Sequence, residues 1–79
     1  MDIIMATREA MADVLGCDVK LIGVKNGTLG PEYIITLHAL VDAKNGQLTM
    51  TEIDERLERL GLMRIGTLDL CLHYVAESH

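Results

Sequence analysis

Residues 32–42 read EYIITLHALVD, and this stretch gives the strongest strand signal in the chain. Every second position is apolar, whereas the positions between them are mixed in polarity. Such alternation is typical of a strand whose sheet packs one face against helices. The apolar side of the predicted strand consists of Tyr33, Ile35, Leu37, Ala39 and Val41.

The residues on either side predict a hairpin and two helices. Residues 18–25 suggest an earlier strand, and the turn signals at 26–27 and 30–31 enclose a loop of about six residues. Upstream, residues 3–15 place apolar side chains on one helical face, with Asp2 as the N-cap and Gly16 at the end. Downstream, Thr49 and Glu52 match a capping box that opens a helix running to about Leu60.

Residues 65–75 alternate again and predict a third strand, with Leu68, Leu70, Leu72 and Tyr74 on one side. The order is then α-β-β-α-β, and a right-handed crossover makes the second and third strands parallel neighbours. We therefore expect residues 1–79 to form one α+β domain, a two-layer sandwich with two helices on one face of a three-stranded mixed sheet. Its expected core is Ile35, Leu37, Ala39, Val41, Leu68, Leu70 and Leu72 against Met11, Val14, Leu15, Ile53, Leu57 and Leu60.

Composition excludes several classes of function. The chain has 79 residues, a net charge of −5 and 3% aromatic residues. A basic patch for nucleic acid or an anionic membrane surface cannot be assembled from this balance, and two tyrosines make a poor base-stacking platform. No apolar run is long enough to span a bilayer, and the N-terminus lacks signal-peptide features. We expect a cytoplasmic protein with two reduced thiols.

The predicted sheet leaves its second face bare, and that face is the candidate functional surface. It would carry the apolar and polar side chains Ile34, Thr36, Leu40 and Val75, together with four potential metal ligands: His38, Asp69, Cys71 and His73. A surface of this kind usually marks an interaction site, and a homodimer is the default for so small a domain. Imidazole, thiolate and carboxylate are also the ligand set of zinc. The same residue types are, however, common at half-buried sheet positions without any metal.

Two motifs resemble a known family. Residues 30–42 begin with Gly-Pro, follow with an aromatic residue, and carry His38 within an apolar alternation that ends on Asp42. Residues 70–73 read LCLH. Both are similar to strands of the cytosolic C-terminal domain of cation diffusion facilitator transporters. The resemblance implies a ferredoxin-like, metallochaperone-like fold that dimerises and binds zinc or a related cation, with His38 and His73 at ligand positions. These 79 residues include no membrane part of such a transporter, so we expect a stand-alone relative of that domain.

Two functional hypotheses follow. The first is a stand-alone dimeric regulatory module that binds a divalent cation, zinc or a similar ion, on the open sheet face. The second is a non-enzymatic protein–protein interaction module, a small acidic adaptor or inhibitor, which uses the open face or an edge strand without metal. A small-molecule sensor is disfavoured because we expect no Arg or Lys on that face. Catalysis by Cys71 with His38 or His73 is disfavoured because no pocket or oxyanion hole is predicted.

Overall fold

The computed structural model describes residues 2–36, 39, 41 and 47–77. Its elements, in chain order, are α1 (Ile3–Leu15), a 3-10 turn (Val19–Leu21), β1 (Ile22–Gly27), β2 (Gly30–Thr36), α2 (Met50–Glu58), β3 (Leu62–Leu68) and β4 (Cys71–Ala76). The strands form one sheet in the order β1-β2-β4-β3, and every neighbouring pair is antiparallel. The predicted α+β class is confirmed, whereas the three-stranded mixed sheet is wrong.

The helix boundaries follow from local capping, as predicted. In α1 the Asp2 Oδ1 atom accepts a hydrogen bond from the Ile4 amide at 3.0 Å, and Gly16 ends the helix with φ 72°. A left-handed residue at this position costs least for glycine, which explains the stop. In α2, Thr49 Oγ1 accepts from the Glu52 amide while Glu52 Oε1 accepts from the Thr49 amide, the reciprocal pair of a capping box.

The β1–β2 hairpin is tighter than the sequence indicates. The predicted first strand begins only at Ile22, because Val19–Leu21 form the 3-10 turn. The register pairs Gly27 with Gly30, so Thr28 and Leu29 alone form the tip. Both turn signals therefore lie within the strands, and the loop of about six residues was a wrong prediction. Gly30 has φ 105°, which explains why a glycine begins β2.

The strand predicted over residues 32–42 ends at Thr36. Thr36 Oγ1 accepts a hydrogen bond from the Ala39 amide at 3.0 Å, the spacing with which a threonine caps a helix, and Ala39 and Val41 have helical backbone. Tyr33 and Ile35 are buried as their alternation predicts, but Val41 is 65% exposed. Leu37, His38, Leu40 and Asp42 lie outside the described residues.

The single strand predicted over residues 65–75 is a hairpin, β3–β4. Asp69 and Leu70 have φ 51° and 60°, and they form the two-residue tip between Leu68 and its partner Cys71. Consecutive left-handed residues are typical of the turn that suits a two-residue hairpin. Because β3 is an additional strand, the chain reverses once more before β4. β4 therefore lies between β2 and β3 and runs antiparallel to both. The expected parallel crossover pair is therefore wrong.

The core lies between the helices and one face of the sheet. Met11 and Leu15 from α1 and Ile53 and Leu57 from α2 pack in one cluster with residues of all four strands: Ile22, Tyr33, Ile35, Leu62, Leu72 and Tyr74. Seven predicted core residues are buried: Met11, Leu15, Ile35, Ala39, Ile53, Leu57 and Leu72.

Several other predicted core positions are not buried. Leu68 and Leu70 are each 62% exposed. Leu68 ends β3 on the sheet face opposite the helices, and Leu70 lies in the β3–β4 turn. Leu60 is exposed beyond α2, and Val14 is only partly buried against the cluster. Within the described ranges, no helix has the length and apolar character needed to cross a membrane.

Candidate functional site

The sheet face opposite the helices carries residues of all four strands, which the strand register arranges in three lines. Cross-strand register puts Lys25, Glu32, Val75 and Met63 in one line and Gly23, Ile34, His73 and Gly66 in the next. A third line joins Thr36, Cys71 and Leu68. Partners in antiparallel register share a face, so these residues form one surface, which we call the open face.

A charged cluster occupies the β1–β2–β4 part of the open face. His73 Nδ1 lies 2.6 Å from Glu32 Oε2, and Lys25 Nζ lies 3.3 Å from the same oxygen. The expectation that this face carries no Arg or Lys is therefore wrong. The side chains of Glu32 and His73 are both nearly covered, at 13% and 12% exposure. The hydrogen bond from His73, followed by the bond and charge of Lys25, holds the pKa of Glu32 below its ordinary value.

The hydrogen-bond geometry indicates which ring nitrogen of His73 carries a proton. An ionised carboxylate only accepts hydrogen bonds, so His73 Nδ1 must donate to Glu32. In the neutral ring the other nitrogen, Nε2, then has its lone pair available as an acceptor or as a metal ligand. A shallow depression of about 290 Å³ lies beside this group, lined by Lys25, Glu32, His73 and the β3 residues 65–68.

The predicted metal ligands are brought together only in part. Cys71 and His73 are two residues apart on the same face of β4, whereas Asp69 lies in the β3–β4 turn, where its carbonyl oxygen is 3.5 Å from Cys71 Sγ. His38 lies outside the described residues. Across residues 2–36, 39, 41 and 47–77, no three His, Cys, Asp or Glu side chains converge as a metal site would require.

The predicted interface residues that the structure describes differ in how far they are exposed. Ile34 is half-buried and Thr36 exposed, both on the open face of β2. Val75 also belongs to this face but is only 2% exposed, with Glu32 and Met63 as its cross-strand neighbours. Leu40 is outside the described part of the chain.

Sequence reasoning missed the most exposed apolar group of the open face. Met63, Ile65 and Leu68 are 47%, 41% and 62% exposed along β3, and we call these three side chains the β3 stripe. Ile65 is the extra residue where the β3–β4 register shifts between Arg64 and Gly66, a β-bulge. The signal that could have identified this group is the position of Leu68 directly before a turn. A two-residue turn moves the leucines that follow it in the alternation to the opposite face of the sheet.

A second polar cluster lies on the helix side of the sheet and joins it to α2. Tyr74 Oη donates to Asp54 Oδ1 at 2.6 Å, and Arg64 Nη2 lies 3.1 Å from Asp54 Oδ2. Burial, and then the bond to Asp54, raises the pKa of Tyr74. The phenol therefore stays protonated and serves as a fixed donor. Asp54 also draws the charged end of Arg64 to the helix side, away from the β3 stripe.

The two cysteines lie in different parts of the fold, Cys17 after α1 and Cys71 in β4. Cys17 and Cys71 are both free thiols. Burial, and then the charge of Asp18, raises the pKa of Cys17, so its reactive thiolate form is disfavoured. Cys17 packs beside the core cluster, which is a structural position.

Comparison with known proteins identifies no relative. No protein family, no curated protein and no solved structure matches this chain. The similarity to cation diffusion facilitator domains therefore rests on the two short motifs alone.

Proposed function

We propose that this protein is a non-enzymatic interaction module that binds a second copy of itself through the β3 stripe. The observation that carries the proposal is the exposure of Met63, Ile65 and Leu68 on one strand of a sheet face that no described helix covers. Exposed apolar side chains grouped in this way, beside polar residues, usually mark a contact surface.

The distribution of charge favours β3 over the rest of the described surface as the place where two copies would meet. Each chain carries a net charge of −5, so two copies repel one another over most of their surface. β3 contains no carboxylate, and its one cation, Arg64, is paired with Asp54 on the helix side. Contact through the β3 stripe brings apolar groups together and leaves the cluster of Lys25, Glu32 and His73 toward the margin. This is the apolar centre and polar rim typical of protein interfaces.

The molecular mass in solution tests the proposal. Sedimentation equilibrium over roughly two decades of protein concentration gives the dissociation constant directly. We expect the wild-type mass to rise from monomer toward dimer and Ile65→Lys to remain monomeric. Leu29→Lys is the matched control, because Leu29 is an exposed apolar residue at the tip of the β1–β2 hairpin. Equal behaviour of the two variants would contradict the proposal.

A divalent-cation module is the second candidate, and one contact favours it. Histidines that bind metals usually donate their other ring nitrogen to a carboxylate, and Glu32 holds His73 in that manner. Cys71 lies on the same face as His73 and supplies a second donor. His38 and Asp69 complete the ligand set that the sequence predicts for zinc.

The cation candidate is tested by stability rather than by mass. Zinc that binds only the folded state stabilises it by about 2.7 kcal/mol at a hundredfold excess over the dissociation constant. We expect His73→Ala and Cys71→Ala to reduce the zinc-dependent rise in Tm, with Cys17→Ala as the control. If chelator-treated protein shows the same Tm with and without zinc, the cation candidate is excluded.

A further inference from the structure

One line of residues on the open face ends in a glycine at each side of the sheet. It runs through Gly23, Ile34, His73 and Gly66. Apart from its chain neighbours, a Cβ atom at Gly66 would meet nothing within 4 Å, whereas one at Gly23 would lie 3.9 Å from Ile34. The space above Gly66 is therefore open, and it belongs to the shallow depression of about 290 Å³. A glycine within a strand often marks a place where a ligand approaches the backbone closely.

The depression combines apolar and polar walls. Ile65 and Leu68, both exposed, border it on the β3 side. Lys25, Glu32 and His73 border it from β1, β2 and β4. The ammonium group of Lys25 balances the ionised carboxylate of Glu32, and neutral imidazole adds no charge. The local charges therefore cancel, which favours a neutral ligand over a cation or an anion.

One ring nitrogen of His73 remains for a ligand. Nδ1 donates to Glu32, which leaves Nε2 of the neutral ring as an acceptor. Among the described residues Nε2 has no hydrogen-bond partner, yet no fully covered side-chain nitrogen or oxygen there lacks one, so Nε2 contacts solvent. Because the bond to Glu32 also fixes the ring, a donor on a ligand meets an acceptor that is already oriented.

We propose that this depression binds a phenol, a neutral aromatic ring whose hydroxyl donates a hydrogen bond to His73 Nε2. The ring packs above Gly66 against Ile65 and Leu68, and its lack of charge suits a site whose own charges cancel. The volume is close to the lower limit of ligand sites, about 300 Å³, so it accommodates one ring and little more. This inference goes beyond the proposed self-association and does not depend on it.

A second copy of the chain cannot supply the phenol. The two tyrosines of the chain, Tyr33 and Tyr74, are only 4% and 0% exposed. The phenol therefore comes from a free small molecule or from a tyrosine side chain of another protein. Both sources offer the same ring and hydroxyl, and they differ in what is attached to the ring.

The test is an NMR titration of dilute, chelator-treated protein with phenol, fluorobenzene and N-acetyltyrosinamide, at a mildly alkaline pH that favours neutral imidazole. Fluorobenzene has nearly the shape of phenol but no hydroxyl proton. We expect phenol to shift the resonances of the Gly66 amide and of His73 Nε2, with millimolar affinity. Phenol should bind about three- to tenfold more tightly than fluorobenzene, the contribution of one hydrogen bond. Tighter binding of N-acetyltyrosinamide than of phenol identifies a tyrosine side chain as the source, and the reverse order identifies a free phenol.

A pair of glycine substitutions locates the site. Gly66→Val fills the open space with a side chain that suits a strand, and we expect phenol affinity to fall by roughly tenfold. Gly23→Val puts the same side chain at the other end of the line, away from the depression, and should leave the affinity unchanged. His73→Phe keeps a ring but removes the acceptor, and it should abolish the preference for phenol over fluorobenzene. Circular dichroism and Tm verify that each variant is folded.

Three results would overturn the inference. The first is equal affinity for phenol and fluorobenzene, and the second is equal phenol affinity in Gly66→Val and Gly23→Val. The third is the absence of any shift around Gly66 and His73 at the highest phenol concentration. None of these results concerns the molecular mass, so failure of this inference is distinguishable from failure of self-association.

Discussion

The hydroxyl of Tyr74 joins the sheet to α2 through a short hydrogen bond, and removing it should lower the stability of the fold measurably. The ring is fully buried, and Oη donates to Asp54 at 2.6 Å. A hydrogen bond to a charged partner contributes about 1.5–3 kcal/mol, and the 34% exposure of the Asp54 side chain argues for a value below that range. We therefore expect Tyr74→Phe to lower the free energy of unfolding by about 1 kcal/mol.

Urea unfolding followed by circular dichroism measures this loss at neutral pH. For a domain of this size, 1 kcal/mol corresponds to a fall in Tm of about 4–8 °C. Repeating the substitution in an Asp54→Ala background removes the partner, so the loss should shrink there. The reasoning is refuted if Tyr74→Phe costs less than about 0.3 kcal/mol, or if the cost is the same in both backgrounds.

Three further predictions concern the open face, the turn and the helix cap. Because the pKa of Glu32 is lowered in the folded state, its ionised form stabilises the protein above the ordinary carboxylate pKa, and this stabilisation is lost as pH falls through the lowered value. Glu32→Gln should therefore flatten the acid side of the stability–pH curve measured by urea midpoints; an unchanged curve contradicts the lowered pKa. Leu70→Gly should raise stability by about 0.5–1 kcal/mol, because Leu70 is held at φ 60°. Leu68→Gly, equally exposed but within β3, should lower stability, and a loss in both variants argues against the turn. Thr49→Ala should cost about 1 kcal/mol by removing the capping box, while Thr51→Ala should cost nothing; equal thermal midpoints for the two variants would count against the cap.

The sequence predicted those features that depend on local chemistry. Asp2 and Gly16 bound α1, and Thr49 with Glu52 opens α2, because capping uses side chains within a few residues of one another. The antiparallel β1–β2 pair was predicted from its glycine-rich turn, although its exact tip was not.

The fourth strand could not be predicted because its turn lacks the usual residues. Asp69 and Leu70 replace the Asn-Gly or Gly-containing pair that marks a two-residue hairpin, and the leucine alternation continues through them. A two-residue turn exchanges the faces: Leu68 lies on the open face and Leu72 in the core, although both occupy even positions. The same error concealed the β3 stripe, because Leu68 was assigned to the core.

The partners of His73 were also beyond sequence reasoning, for a different reason. Glu32 and Lys25 meet His73 through cross-strand register between β1, β2 and β4, and register depends on the whole sheet. The sequence placed Cys71 and His73 on one face because positions two apart in a regular strand share a face. It could not show that the carboxylate beside His73 comes from Glu32 rather than Asp69.

The measurement that tests the central claim most directly is the concentration dependence of molecular mass for the wild type and Ile65→Lys. Self-association through the β3 stripe predicts a wild-type mass that rises toward the dimer, and a dissociation constant at least tenfold larger for Ile65→Lys. A mass that stays monomeric for the wild type, or an equally tight dimer in Ile65→Lys, would contradict the assignment of β3 as the docking surface.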